Sequence, residues 1–482
     1  MTTSQALAYS PSNFFSRAGF TSSWATSATI VATDFFALSC VYWLAVIGRY
    51  LTNGQYSLQF YWQLYPVIGL FLGAFYVHDL YPGVLLHPAE EMRRVFKCIT
   101  VVFLLIAVGT FLERNKDMYS RSIFLIIWAF GAPTILLARQ LARKALAKRP
   151  WWGIAAVVLG SGPCAERVVR TLQRRNIGIR VAGILSDEPA STSPESTPPM
   201  LGPLSAAPHL AKNGFAEYVV VAMPDKNNSE LRYILQNVCR GFSHVLLVPD
   251  LPGICSLGIS AREIGGEVGL ELPQRLSHNW AKVSKRSLDI ISSAFFLIIL
   301  APLFAIIALA IKLSSRGPVF FGHSRYGKHG ETFYALKFRT MVQNADELLA
   351  SYLRAHPELQ AEWDRDHKLR CDPRVSKVGR WLRRYSLDEL PQLFNVLIGQ
   401  MSLVGPRPIV KNEIVKYGDG YELYTRVPPG ITGLWQVSGR NNTTYMERVA
   451  FDEYYVRNWS VWLDAYILTK TINAVISANG AY

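Results

Sequence analysis

Two adjacent carboxylates, in the run Ser386-Leu387-Asp388-Glu389-Leu390-Pro391-Gln392, are the residues of this 482-residue chain best suited to chemistry. Ser386 and Glu389 have the spacing of a helix capping box. Pro391 speaks against that register, because its missing N–H would fall where an intrahelical bond is due. With Asp388 as the N-cap, Pro391 becomes the third helical residue, whose N–H is free in any case. In both registers the acidic pair meets a helix N-terminus, where the dipole favours a carboxylate and free N–H groups attract phosphate. Adjacent carboxylates repel each other unless a cation lies near them. One can attack phosphorus while its neighbour holds Mg²⁺, so phosphoryl transfer is the chemistry the pair suits. The plain alternative is an ordinary helix cap.

Cations recur in short stretches stiffened by proline or glycine. Lys337 and Arg339 belong to Lys337-Phe338-Arg339-Thr340-Met341, Arg383 precedes the acidic pair, Arg407 lies in Gly405-Pro406-Arg407-Pro408, and Arg440 closes the stretch from Pro428. A sugar diphosphate brings about two negative charges that must be neutralised as its bridging bond breaks. Arginine suits that task through bidentate contacts. Taken singly, each arginine reads equally well as a solvated surface charge.

The elements that hold these residues begin at a membrane. Half the residues are hydrophobic and the net charge is +15; the mean hydropathy is +0.15. Apolar segments near 26–48, 57–77, 94–112 and 121–141 each approach the ~20 residues that cross a bilayer. Basic residues cluster after the fourth (Arg139, Arg143, Lys144, Lys148, Arg149) and between the second and third (Arg93, Arg94, Lys97), so both ends of this bundle are expected in the cytoplasm. Asp34 falls in the first segment, either as an interfacial residue or as an intramembrane functional carboxylate. A fifth segment, Ile290 to Ile311, is interrupted by Pro302 and flanked by Lys282, Lys285 and Arg286 before and Lys312 and Arg316 after. Basic residues on both sides favour a helix broken at Pro302 that enters and leaves by one face. The last apolar stretch, Trp459 to Ile476, is expected on the membrane face or at a subunit interface.

Residues 150–265 read as strands alternating with helices. Val157–Leu159, Val181–Leu185, Tyr218–Ala222 and Val245–Val248 are the expected strands, and Pro189–Pro203 an expected loop. That alternation indicates a parallel, doubly wound sheet. The turn from Gly160 through Gly162 to Ala165, with Asp187 beyond the next strand, fits a dinucleotide fingerprint. Pro163 removes a phosphate-binding N–H, which leaves a regulatory or oligomerisation scaffold as the alternative. Six scattered cysteines form no zinc motif, and without a short apolar run before a small-residue cleavage site no cleaved signal peptide is expected.

Residues from about 282 to the end resemble the monotopic phosphoglycosyl transferases, also called bacterial sugar transferases. The resemblance rests on Lys285-Arg286-x-x-Asp289, the Lys337 to Met341 stretch, Ser386 to Gln392, Met401-Ser402-Leu403-Val404-Gly405-Pro406-Arg407-Pro408, and Pro429 to Arg440. It implies a ping-pong reaction in which Asp388 attacks the β-phosphate of a UDP-sugar, expels UMP and passes the sugar phosphate to undecaprenyl phosphate. Glu389 would assist Asp388 in binding Mg²⁺. Lys337, Arg339, Arg383, Arg407 and Arg440 would contact substrate phosphates. The family's re-entrant helix often carries Ser-Pro at its break, where this chain has Ala301-Pro302. The leading spans and middle domain resemble the long form of the family, and within it the members that transfer galactose 1-phosphate. Glucose, which differs at the C4 hydroxyl, is the nearest competitor.

The expected architecture is thus a membrane α-helical bundle (1–148), a cytosolic Rossmann-like α/β domain (149–270), a re-entrant membrane helix (282–313) and an α/β catalytic domain (314–482). The expected setting is a bacterial inner membrane, with the catalytic domain facing the cytoplasm and a homodimer as the assembly. Two rivals predict other behaviour. A membrane-tethered nucleotide or redox sensor would be indifferent to Asp388, and a phosphohydrolase would use water in place of the lipid. A nucleic-acid partner accounts for the charge but not for the spans.

Overall fold

A computed structural model describes residues 23–53, 58–84, 86–112, 121–173, 178–188, 198–249, 260–264, 267–271, 279–360, 372–438 and 443–476. The chain divides into two compact units, residues 1–252 and 253–482.

The first unit opens with helices α1 (Ser23–Asn53), α2 (Leu58–Leu64), α3 (Ile68–Val77), α4 (Pro88–Leu112) and α5 (Arg121–Leu146). α1, α4 and α5 are long and apolar enough to cross a membrane. The second expected span is helical but not one α-helix. Pro66 sits in a 3₁₀ turn, Tyr65–Val67, that divides it into α2 and α3, because proline cannot donate the bond a continuous helix needs.

Asp34 is closed to a ligand. It is fully buried, and Arg139 donates to both its oxygens, Nε to Oδ1 at 2.9 Å and Nη2 to Oδ2 at 2.6 Å. Arg139 Nη1 reaches Glu91 Oε1 at 2.8 Å, and Arg143 donates to both Glu91 oxygens at 2.7 Å. Tyr81 adds a hydroxyl bond to Asp34 Oδ2 at 2.8 Å. Two carboxylates and two guanidiniums thus neutralise one another and tie α1, α4 and α5 together.

The α/β layer has five parallel strands in the order β3-β2-β1-β4-β5: β1 (Ile154–Leu159), β2 (Ile179–Leu185), β3 (Met200–Gly202), β4 (Tyr218–Val221) and β5 (His244–Leu247). The expected strands are present, and β3 is an additional one inside the expected 189–203 loop. Helix α6 (Pro163–Leu172) follows β1, with Gly162 as its N-cap. Gly160 is demanded by packing: it has φ +118°, and a Cβ there would meet the Ala222 carbonyl oxygen at 2.7 Å. Asp187, the residue expected at a ribose, has a structural role. Its Oδ1 accepts the Leu204 N–H at 2.9 Å, capping the turn that begins at Leu204. A further pair of short strands, Ser260–Ile264 and Glu267–Glu271, forms a hairpin.

In the second unit one helix, Asn279–Ser314, carries the fifth apolar segment. Pro302 lies inside it and does not end it; helical hydrogen bonding continues on both sides. Both halves of this helix lean on the same domain. Near its start, Lys285 Nζ meets Asp464 Oδ2 at 2.8 Å, Asp289 Oδ1 accepts the Leu403 N–H, and Arg286 donates to the Val396 and Leu397 carbonyls. Near its end, Ile307 and Ile311 pack with Phe338 and Leu382. The middle is apolar and exposed, Ile298 most of all. The Lys285-Arg286-x-x-Asp289 motif is therefore a docking device. The closing helix, Val461–Ile476, buries Leu463 and Ile467 and carries Asp464 to Lys285. This gives it a place inside the second unit rather than only on a membrane or subunit face.

Candidate active site

An antiparallel hairpin, Phe320–Tyr326 with Thr332–Phe338, supplies the first wall. Residues directly opposite in such a ladder share a face. The pairs Phe321/Lys337, His323/Ala335 and Arg325/Phe333 therefore put His323, Arg325 and Lys337 on one face. The Lys377–Arg384 helix follows, capped by Ser376, whose hydroxyl accepts the Gly379 N–H. It ends on Tyr385, and Ser386 then turns the chain in the left-handed region at φ +54°, a conformation costing a non-glycine residue about 1–2 kcal/mol. Asp388 and Glu389 lie just beyond, in a 3₁₀ turn, Leu387–Glu389.

Neither capping register holds. Ser386 makes no side-chain cap bond, and Pro391 is the boundary residue of the next helix, Gln392–Ile398. The acidic pair sits upstream of that helix rather than in its first turn. Leu387 and Leu390 on either side pack toward Ile307 and Ile311 of the membrane-length helix. Asn395 fixes this helix to the hairpin strand. Its Oδ1 accepts the Leu336 N–H at 2.9 Å and its Nδ2 donates to the Tyr334 carbonyl at 2.8 Å. That clamp sets Lys337 against the carboxylates, and a polar residue inside the otherwise apolar run Leu393 to Ile398 is the available signal for it.

Lys337 distinguishes the two acids. Its Nζ donates to Glu389 Oε1 at 2.6 Å but stays 3.7 Å from Asp388 Oδ2. Asp388 is 8% exposed, and burial raises its pKa despite Lys337, with Glu389 adding to the rise and Arg383 opposing it. Burial acts on Glu389 as well, but Lys337, then Arg407 and Arg325, hold it below the usual carboxylate range. Arg383 donates Nε to Thr340 Oγ1 at 3.0 Å, and burial lowers its pKa against the pull of Asp388.

Arg407 follows the short strand Ser402–Val404, which pairs in parallel with Gly430–Thr432. The strands approach so closely that a Cβ on Gly405 would meet the Gly430 nitrogen and the Pro428 carbonyl oxygen at 2.8 Å. Arg407 is thereby held with its guanidinium 5.5 Å from the Trp435 ring. Arg339 turns its two Nη groups to the Ser315 and Arg316 carbonyls at 2.9 Å, just past the C-terminal end of the membrane-length helix, and its buried Nε has no partner among the described residues. Arg440 lies outside the described residues. The fold thus brings Asp388, Glu389, Lys337, Arg383 and Arg407 together, leaves Arg339 aside, and adds His323, Arg325, Thr340, Trp435 and Arg448.

Asp388 and Glu389 are the oxygen donors available to a hard cation here; among the described residues no three His, Cys, Asp or Glu side chains gather as a metal cluster. Two carboxylates fit Mg²⁺, which commonly takes one or two protein carboxylates with substrate phosphates and water. Lys337 already occupies the space beside Glu389, so an ion there would share that carboxylate with the ammonium.

Residues 280–478 match a family model described as bacterial sugar transferase, and residues 78–249 match one described as a CoA-binding domain. The chain is 37% identical over 401 residues to an uncharacterized sugar transferase of Haemophilus influenzae, covering 81% of this chain and 83% of the relative. It is likewise 37% identical over 401 residues to the undecaprenyl-phosphate galactose phosphotransferase of Salmonella typhimurium, covering 81% of this chain and 82% of the relative. A UDP-glucose:undecaprenyl-phosphate glucose-1-phosphate transferase of Klebsiella pneumoniae is 34% identical over 324 residues, 65% of this chain and 66% of the relative.

Proposed function

The chain belongs to the bacterial sugar transferase family, and from that premise we propose that it transfers a hexose 1-phosphate from a UDP-sugar to undecaprenyl phosphate. Galactose is the proposed hexose, on the strength of the long match to the Salmonella relative. The product would begin a polysaccharide repeat unit.

The observation that carries this reading is the asymmetry of the acidic pair: Glu389 is bound by Lys337, and Asp388 stands beyond hydrogen-bond distance of it. Paired acids whose surroundings push their pKa values apart take different roles. Asp388 is the nucleophile. Its oxygen bonds to the β-phosphorus, the bond from that phosphorus to the bridging oxygen breaks, and UMP leaves with the electron pair. A lipid phosphate oxygen then bonds to the same phosphorus, and Asp388 departs as a carboxylate. Lys337 and Arg383 offset the charge on the transferring group. Bound Mg²⁺ would neutralise phosphate charge there, held by Asp388 and Glu389.

The proposed setting is the bacterial inner membrane, with the catalytic domain on the cytoplasmic side, where UDP-sugars are made. Support comes from the basic residues at both ends of the 279–314 helix and from the contacts both its halves make with one domain. A homodimer belongs to the same reading, and light scattering in nanodiscs tests it.

The deciding experiment follows UMP release by the full-length protein with undecaprenyl phosphate and Mg²⁺ across UDP-sugars. UMP release that prefers UDP-galactose and requires the lipid for turnover is expected. Preference for UDP-glucose would overturn the sugar, and turnover by water without lipid would overturn the transferase.

A further inference from the structure

Three guanidiniums gather on the Glu389 side of the acidic pair. Arg325 comes from the hairpin, Arg407 from the loop after Ser402–Val404, and Arg448 from the helix Tyr445–Asn458. Arg407 and Arg448 stand 5.5 and 4.9 Å from the same Trp435 ring, and Arg448 is also 5.0 Å from the Tyr445 ring. Arg325 and Arg407 make no side-chain hydrogen bond among the described residues. Arg448 is the most enclosed, at 7% exposure. Its Nη1 donates to Glu413 Oε1 at 3.0 Å, whereas its buried Nε and Nη2 have no hydrogen-bond partner among the described residues.

Nε and Nη2 form one side-on edge of a guanidinium, the edge Arg139 uses on Asp34 in the bundle. Two parallel N–H groups at that spacing suit two oxygens of a phosphate or carboxylate. Leaving such donors buried and unbonded is costly. The protein's own acids do not answer them: Glu389 is held by Lys337, Glu413 takes Nη1, and Asp452 accepts the Tyr417 hydroxyl at 2.7 Å.

The pocket also lies away from the membrane-length helix. The turn bearing Asp388 is flanked by Leu387 and Leu390, which pack on Ile307 and Ile311 of that helix together with Leu382, the neighbour of Arg383. The guanidinium pocket is instead backed by Ile409, Tyr417, Tyr424 and Val449, a cluster with no residue from that helix. A lipid phosphate approaches along the membrane helix, and a water-soluble phosphate has the other side.

We propose that Arg325, Arg407 and Arg448 form the subsite for the phosphate of the departing nucleoside monophosphate, distinct from the Arg383–Thr340 side that receives the lipid phosphate. This rests on the transferase reading above. When the bridging bond breaks, the nucleotide's phosphate changes from a diester-like monoanion to a monoester and gains negative charge. Free guanidinium donors placed there favour bond cleavage and then hold the product.

The test uses the full-length protein in nanodiscs with two variants. Arg448→Lys keeps a cation for Glu413 but loses the side-on fork; Arg325→Gln removes a cation that makes no salt bridge among the described residues, and Glu389 keeps Lys337. UMP binding is measured by calorimetry. The two half-reactions are followed separately: sugar-phosphate loading of Asp388 by intact mass, and discharge of the isolated adduct by undecaprenyl phosphate. Each variant is expected to weaken UMP binding and slow loading by about tenfold or more, while discharge changes by less than about twofold. Slowed discharge with unchanged UMP binding would give the pocket to the lipid phosphate and overturn the assignment. Unchanged UMP binding and loading in both variants would remove the subsite while leaving the transferase intact. If the wild-type protein releases UMP from no UDP-sugar, the transferase reading itself fails and the subsite falls with it. Should Arg448→Lys not fold, Arg325→Gln alone decides.

Discussion

The molecule contains two buried clusters built from the same side chains, and they are finished to different degrees. In the helical bundle, Asp34 and Glu91 face Arg139 and Arg143, and every carboxylate oxygen accepts at least one hydrogen bond. In the candidate active site, Asp388 and Glu389 face Lys337, Arg383, Arg407, Arg325 and Arg448. There Asp388 takes no hydrogen bond from Lys337, and Arg448 keeps two unbonded donors. A closed network fixes helices and leaves nothing for a ligand. An open one holds its groups at a cost that the bound substrate removes. Burial and charge alone do not separate these two clusters; their unsatisfied valences do.

The strongest way to break this comparison is Asp388→Asn. Turnover and the covalent adduct are expected to fall by at least about 10³-fold, with the thermal midpoint unchanged or raised, because a buried charge is removed. Near-normal turnover would mean that the open cluster is not the site of bond formation. Arg139→Leu tests the closed cluster. It leaves Asp34 and part of Glu91 unpaired, and a loss of about 3–5 kcal/mol in stability is expected, read by denaturation in nanodiscs. Asp34→Asn added to it should recover part of that loss. Turnover per folded molecule should not change.

A pH experiment sharpens the contrast further. Burial raises Asp452, beside Arg448, to about 7 from its usual 3.8, against the Tyr417 bond and the Arg448 and Arg407 charges. A group whose folded pKa lies above its unfolded value stabilises the fold fully below the unfolded pKa, and that contribution is lost as pH rises through the folded pKa. The catalytic unit is therefore expected to lose on the order of 3 kcal/mol of stability as pH rises from about 4 toward 7. Asp452→Asn should flatten that slope, seen as a pH-independent thermal midpoint. Lys337→Met moves a different curve. Lys337 is the leading influence holding the Asp388 pKa down, so its loss should shift the acid limb of the rate profile to higher pH. An unmoved limb would mean that Asp388 does not set it. The smallest effect is expected from Ser386→Gly. It relieves the left-handed backbone at φ +54° and should stabilise by about 1 kcal/mol, measured as a small rise in the thermal midpoint.

Much of this organisation was legible along the chain. Apolar segments of membrane length, alternating strands and helices, and the Asp388-Glu389 pair among proline-stiffened basic stretches are local features. Pro66 carried the division of the second apolar segment in plain sight. Asp187 is ambiguous in sequence for a physical reason: an acid after a strand can cap a turn as readily as it binds a ribose, and only the tertiary structure brings the Leu204 N–H to its Oδ1. Arg339 shows the same double use: both its Nη groups go to carbonyls at a helix end, while its buried Nε has no partner among the described residues.

By itself the sequence determined which groups could react, because nucleophilicity, charge and helix-breaking belong to residue types and their immediate spacing. The tertiary structure alone decided which of those groups remain unsatisfied. Arg139 and Arg448 are alike in a sequence, and Asp34 and Asp388 nearly so. Partners 105 residues away close one pair, while a 3₁₀ turn and the Asn395 clamp keep the other open. Hydrogen bonds act over a few ångströms, so which donors find acceptors is fixed by how distant segments meet.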